Sequence, residues 1–196
     1  MMLRPDYERF IRVAAKDLPH HLSWVSLDTK KGYLYLFGKV QDNRQAVVED
    51  IQRKTNLKLK QGLYIDVFPV DGQPSTLEGL RRFKIIRDIL AKILFRIPIP
   101  KRWQRKLWGA YIKHIPVAKA KYCGVPFVDR LDQTRCYWPK TWFDRTVMLP
   151  FEKDEVPMVG EPLAFIENHY RNWKALPPEK NRVPSHQAMN GGIVDF

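Results

Sequence analysis

The chain has 196 residues, of which 44% are hydrophobic and 12% aromatic, and it carries a formal net charge of +13. That length fits one domain, 1–196, and the apolar content suffices for a sizeable core, which argues against disorder. No apolar run of roughly 18 residues and no charged-apolar-small pattern at the N-terminus appears, so neither a membrane span nor a secretory signal is supported and the expected location is the cytosol.

Pro5 to Lys16 reads as a short helix: Tyr7, Phe10, Ile11 and Ala14 make its apolar stripe, Pro5 suits the first turn, and Leu18-Pro19 ends it. Three short strand candidates follow, Leu22 to Leu27, Tyr33 to Phe37 and Gln45 to Glu49, with a Lys-Lys-Gly turn between the first two. Residues 50–61 are polar loop. In Gly62 to Asp71, the strand formers Leu63, Ile65, Val67 and Val70 flank Asp66, and Pro69 is expected to stop the ladder, leaving Asp71 beyond a turn. Two helices come next, Thr76 to Arg96 and Lys101 to His114, broken at Ile97-Pro98-Ile99-Pro100. Short pieces around Thr146 to Leu149 and a last helix, Pro162 to Arg171, complete the chain. Strands first and helices later, without regular alternation, predict α+β with a mixed sheet and an inserted helical hairpin at about 76–115.

The charge is local. Residues 81–121 hold thirteen Lys or Arg against one acid, Asp88, and the rest of the chain holds 21 basic against 20 acidic side chains. In the first helix Leu77, Leu80, Phe83, Ile86, Leu90, Ile93, Leu94 and Ile97 fall at three-and-four spacing and predict the buried stripe. Arg81, Arg82 and Lys84, with Arg102, Arg105 and Lys106 of the second helix, then form a cationic side edged by Trp103, Leu107, Trp108 and Tyr111. Three readings stand: a solvated face, a peripheral contact with anionic headgroups at a membrane surface, and a nucleic-acid surface. The last is disfavoured because no RNA-recognition, zinc-finger or helix-turn-helix pattern accompanies the charge. Cys123 and Cys136 lack metal-ligand spacing and read as buried or spare thiols.

Few residues are placed for chemistry. A carboxylate at Asp66, in an apolar strand, costs several kcal/mol unless a cation or donors satisfy it; metal binding meets that cost, and so does capping of the following turn. Lys39 ends an apolar stretch, where it either snorkels at the sheet edge or offers a cation to a substrate phosphate. Asp42, beside Asn43, has turn composition, and Asp144, after Trp142-Phe143, reads as a loop cap. His186 brings an imidazole that can serve as acid, base or ligand.

Taken together, Gly62-Leu-Tyr-Ile-Asp66-Val-Phe-Pro69-Val-Asp71, Met2-Leu-Arg4-Pro-Asp6-Tyr7-Glu8, Phe37-Gly-Lys39-Val-Gln-Asp42, Tyr137-Trp-Pro139-Lys-Thr-Trp142-Phe143-Asp144, Leu149-Pro150-Phe151-Glu152 and Leu176-Pro177-Pro178-Glu179-Lys180-Asn-Arg182 resemble, in order, the motifs of the LicD family. The resemblance spans nearly the whole chain apart from roughly residues 75–121. It implies a nucleotidyltransferase-type fold and metal-dependent transfer of a phosphocholine-type group. The donor would be a nucleotide-activated phospho-alcohol, and the acceptor a glycan or lipid-linked glycan of the cell surface, such as lipopolysaccharide or teichoic acid. Asp66 would be catalytic and a ligand for Mg²⁺, His186 catalytic, and Lys39, Asp42 and Asp144 substrate-binding. In the family an aspartate cluster of the form Trp-Asp-Asp-Asp-x-Asp precedes the Met-x-Arg-x-Asp-Tyr-Glu segment and supplies the principal metal ligands, whereas this sequence begins at Met1. The expectation is therefore a chain incomplete at its N-terminus, through a start assigned too far downstream or as a genuine fragment, that binds Mg²⁺ weakly and transfers weakly or not at all.

Overall fold

The computed structural model of the chain describes residues 1–30, 33, 35–46, 62–96, 99–112, 115–125, 134–170, 172–176, 178–179, 182 and 194–195. In chain order its first elements are β1 (Met2–Leu3), α1 (Arg4–Asp17), β2 (Leu22–Val25), β3 (Gly38–Asp42), β4 (Gln45–Ala46), β5 (Tyr64–Val67) and β6 (Pro69–Gln73). Then come α2 (Leu77–Arg96), α3 (Lys101–Ile112), β7 (Tyr122–Gly124), β8 (Tyr137–Pro139), β9 (Thr146–Phe151), β10 (Asp154–Val159), α4 (Pro162–Tyr170) and β11 (Val194–Asp195). The fold is α+β, and the chain divides into two compact units, Met1–Phe68 with Leu176–Phe196, and Pro69–Ala175. No helix among the described residues is long and apolar enough to cross a membrane.

In the first unit α1 forms as its spacing predicts, with Pro5 in the first turn, Tyr7 and Ala14 buried, and an extended Leu18 ending it. Three strands pair antiparallel in the order β2-β3-β5, with Trp24 opposite Val40, Val25 opposite Lys39, and Lys39 opposite Asp66. Because side chains alternate, this register sorts the sheet into two faces. Trp24, Val40 and Val67 join Tyr7, Phe10, Ile11 and Leu18 in the core, where the Trp24 ring meets Tyr7 and Phe10 edge-on at 5.9 and 5.6 Å. The opposite face carries Ser23, Val25, Lys39, Gln41, Tyr64 and Asp66. Gly38 is required in this packing: a Cβ there would lie 2.1 Å from the Trp24 ring. β4 pairs antiparallel with β11, and the expected loop at 50–61 lies outside the described residues.

Two expectations are corrected here. The second strand is not Tyr33 to Phe37 but Gly38–Asp42. The aromatic rings pack on one another instead, Tyr33 to Tyr35 at 5.4 Å, Tyr35 to Phe37 at 5.1 Å and Phe37 to Phe68 at 4.5 Å, while Gly38 supplies the clearance that Trp24 needs in the ladder. Pro69 does not stop pairing; it opens β6, the strand position where a missing N–H does least harm, and Asp71 is buried inside that strand rather than beyond a turn.

In the second unit β7 pairs antiparallel with β6 and with β8, placing Cys123 between Gly72 and Trp138. Trp138, Val70, Pro69 and Cys123 are fully buried. Gly124 permits close backbone approach, since a Cβ there would fall 1.9 Å from the Cys136 carbonyl oxygen. Phe165 of α4 packs on Trp138 at 4.8 Å between ring centres. β9 and β10 form a hairpin across Glu152-Lys153, with Glu152 at φ 56°.

Helix α2 starts as predicted, Thr76 Oγ1 accepting from the Gly79 N–H at 3.1 Å, but it is rotated from the expected stripe. Leu80, Phe83, Lys84 and Arg87 are buried, whereas Leu77, Ile86 and Ile93 of the expected stripe are exposed, as are Ile85 and Ile89. The rotation is fixed by α3: Tyr111 stacks on Phe83 at 4.4 Å and donates its hydroxyl to the Phe83 carbonyl at 2.6 Å. Lys84 consequently leaves the cationic exterior on which it was expected; its aliphatic stem lets it lie in the packed face beside Phe83.

Candidate functional site

The polar face of the β2-β3-β5 sheet concentrates the chemistry of the first unit. Lys39 sits mid-strand on β3 and is almost wholly buried. Its Nζ lies 3.4 Å from Asp66 Oδ1, directly across the ladder, and 3.3 Å from the centre of the Tyr64 ring. The Tyr35 ring lies farther off, at 5.7 Å. An ammonium taken out of water needs such partners, a carboxylate in line and the negative face of an aromatic ring. Tyr64 and Asp66 reach the same side of β5 because they are two residues apart.

Asp66 is presented asymmetrically. Its side chain is 31% exposed, yet Oδ1 is buried and, among the described residues, accepts no hydrogen bond; the Lys39 ammonium faces it. One edge of the carboxylate is thus anchored inward and the group as a whole still opens to solvent. Next to this pair Gln41 Nε2 and Ser23 Oγ both donate to Asn43 Oδ1, at 3.1 and 3.0 Å, which fixes the neighbouring polar row.

Asp42, on the same strand as Lys39 but of opposite parity, faces the other side. It accepts from the Arg44 backbone N–H at 2.9 Å and is clasped by the Arg44 guanidinium, with Nη2 to Oδ2 at 2.5 Å. Those hydrogen bonds from Arg44 hold the Asp42 carboxyl down at about 2, so it is the turn residue its composition indicates. Asp144 belongs to the second unit, where it follows the 3-10 turn Lys140–Phe143, donates its N–H to the Thr141 carbonyl at 3.3 Å and pairs with Lys140. His186 lies outside the described residues. Both cysteines are buried, and burial pushes the Cys123 thiol up to about 12.

Tyr64 and Gln41 were missed as site residues although the signal was present: each stands two positions from a chosen residue and shares its face by strand alternation. For a divalent ion the described residues do not fit. No group of three His, Cys, Asp or Glu comes together among them, and the one carboxylate at the site already faces a cation. The charge at Asp66 is met by Lys39.

Compared with known proteins, the chain is 22% identical over 213 aligned positions to the lipopolysaccharide cholinephosphotransferase LicD of Haemophilus influenzae, covering 94% of this chain and 76% of that protein. The similarity supports a LicD-family relationship. No family model matches the chain. No solved structure matches it either.

Proposed function

We propose that this chain is a phospho-group transferase of the LicD kind, taking a phosphocholine-type group from a nucleotide-activated donor to a hydroxyl of a cell-surface glycan, with a nucleotidyltransferase-type fold. The observation that carries this reading is the Lys39–Asp66 pair: a carboxylate anchored at one oxygen by a buried ammonium and open to solvent at the other side, in a chain of which 94% aligns with a cholinephosphotransferase.

In such a transfer the glycan oxygen forms a new bond to phosphorus while the bond from phosphorus to the nucleotide's bridging oxygen breaks, and the hydroxyl proton passes to a base. Asp66 is the group assigned to contact the substrate and accept that proton. Lys39 acts through Asp66, fixing the rotamer of its carboxylate, and the Tyr64 ring holds Lys39 in place. A divalent ion would supply neutralisation of phosphate charge when bound; since the described residues offer it only Asp66, no step is drawn through it.

The test is choline transfer to lipopolysaccharide glycan from a nucleotide-diphosphocholine donor by the purified protein. Asp66→Asn is expected to lower turnover by about 10²–10⁴-fold, the range of a positioned acid-base group, with circular dichroism unchanged. Wild-type turnover in that variant removes Asp66 from the chemistry. Absence of both transfer and saturable binding of the nucleotide-diphosphocholine donor in the wild-type chain removes the transferase reading itself.

A further inference from the structure

The second unit exposes a surface that the transfer chemistry does not use. Ile85, Ile86, Ile89 and Ile93 of α2 are 43 to 55% exposed, and Trp103 and Leu107 of α3 are 47 and 42% exposed. Four isoleucines bare to water on one helix is an unusual concentration, of the kind that marks an interaction face. A cavity of about 460 Å³ between the helices shows how the two rows are related: Arg82, Phe83 and Ile86 line it from α2, Ala110 and Tyr111 from α3. Ile89 and Ile93 lie three and seven residues along from Ile86, and Leu107 and Trp103 three and seven back from Ala110. At helical spacing these continue the two lining stripes, so both apolar rows open on the side of the shared cavity.

Around these rows the charge is predominantly positive, the exposed Glu78 at the start of α2 pairing with Arg82. Arg81, Arg82, Lys92, Arg102, Arg105 and Lys106 are all exposed, and within residues 81–121 the single acid, Asp88, is engaged by the buried Arg87 at 2.7 Å. Lys106 lies 5.3 Å from the centre of the Trp103 ring, so a cation and an amphipathic aromatic are presented together. An occupant must therefore accept branched apolar side chains and an indole while bearing dense negative charge. Nucleic acid meets the second requirement and offers isoleucine nothing; a protein groove meets the first without demanding so one-sided a charge. An anionic bilayer meets both, with acyl chains for the apolar rows and headgroup phosphates for the rim.

We propose that the α2-α3 surface is a peripheral docking face for an anionic phospholipid membrane, with Ile86, Ile89, Ile93, Leu107 and Trp103 entering the headgroup boundary and Arg81, Arg102 and Lys106 pairing with lipid phosphates. This does not rest on the transferase reading, and vesicle binding is measured without donor or turnover.

The experiment is co-flotation of the full chain with phosphatidylcholine vesicles, with and without about a third phosphatidylglycerol. Binding to the anionic vesicles alone is expected, with a blue shift of tryptophan emission that Trp103→Phe abolishes. Arg102→Gln and Lys106→Gln should each weaken partitioning roughly fivefold, as loss of one surface-bound cation implies. Ile89→Asp, at an exposed position where folding is spared, should remove binding while leaving circular dichroism unchanged. No binding to anionic vesicles, equal binding to neutral ones, or binding that survives Ile89→Asp overturns the proposal. So does tighter binding to a single-stranded oligonucleotide than to vesicles with Ile89→Asp indifferent, which reassigns the face to nucleic acid.

Discussion

Asp66 and Lys39 illustrate why a partly buried ion pair is better tested by removing one partner than by counting it as stability. Lys39→Met leaves Asp66 beside Tyr64 without its cation, and the expected cost is about 2 kcal/mol, below the cost of breaking a fully buried pair because Asp66 keeps some water. The double change Lys39→Met with Asp66→Leu, which removes both charges, should recover most of that loss in urea denaturation; no recovery would mean that the pair is not the principal partner of either group. Asp42 gives the residue-scale pH dependence. Its folded carboxyl, held at about 2 by Arg44, lies below the ordinary 3.8, so the stabilisation it brings is fully present above about pH 4 and is lost as pH falls through the folded value. Asp42→Asn should lower the melting temperature slightly at pH 6 and make no difference near pH 2. The composition of Asp42-Asn43 indicated this turn role; nothing in the sequence indicated that Arg44 would be the residue to clasp it.

Among the elements, those whose pattern depends on their own chain were legible. Helix α1 needed only its apolar spacing and Pro5, and α4 likewise came out at Pro162–Tyr170. Strand β3 was displaced because Tyr33 to Phe37 has the better strand composition, whereas the ladder requires a residue without a side chain against Trp24, which only Gly38 provides. Gly38→Ala is therefore expected to destabilise the chain by about 1–3 kcal/mol, the range for overpacking a core, seen as a lower urea midpoint with an unchanged slope; a neutral result would show that Trp24 can move. Helix α2 was recognised as a helix but with the wrong face inward, because Leu80 and Phe83 belong equally to a stripe continued by Ile86 and to one continued by Lys84 and Arg87. Local hydropathy prefers the first, and the Tyr111 hydroxyl on Phe83 selects the second.

For the molecule as a whole, the distribution of charge is more informative than its total. A net +13 concentrated between residues 81 and 121 predicts that cation-exchange retention is controlled from there: replacing Arg81, Arg102 and Lys106 by Gln should lower the eluting salt concentration more than replacing Arg9, Arg12 and Lys16 of α1. Equal shifts would mean that retention follows net charge alone. Sequence by itself determined the α+β class, the basic helical pair, the buried thiols and the resemblance to LicD motifs, because composition, periodicity and ordered motifs are carried by residues near one another in the chain. Tertiary structure alone decided that Lys39 and Asp66 answer each other across two strands 27 residues apart in number, and that Lys84 is buried while four isoleucines are not. Register and helix rotation are chosen by contacts between distant segments, and no local pattern encodes a contact whose other half lies elsewhere in the chain.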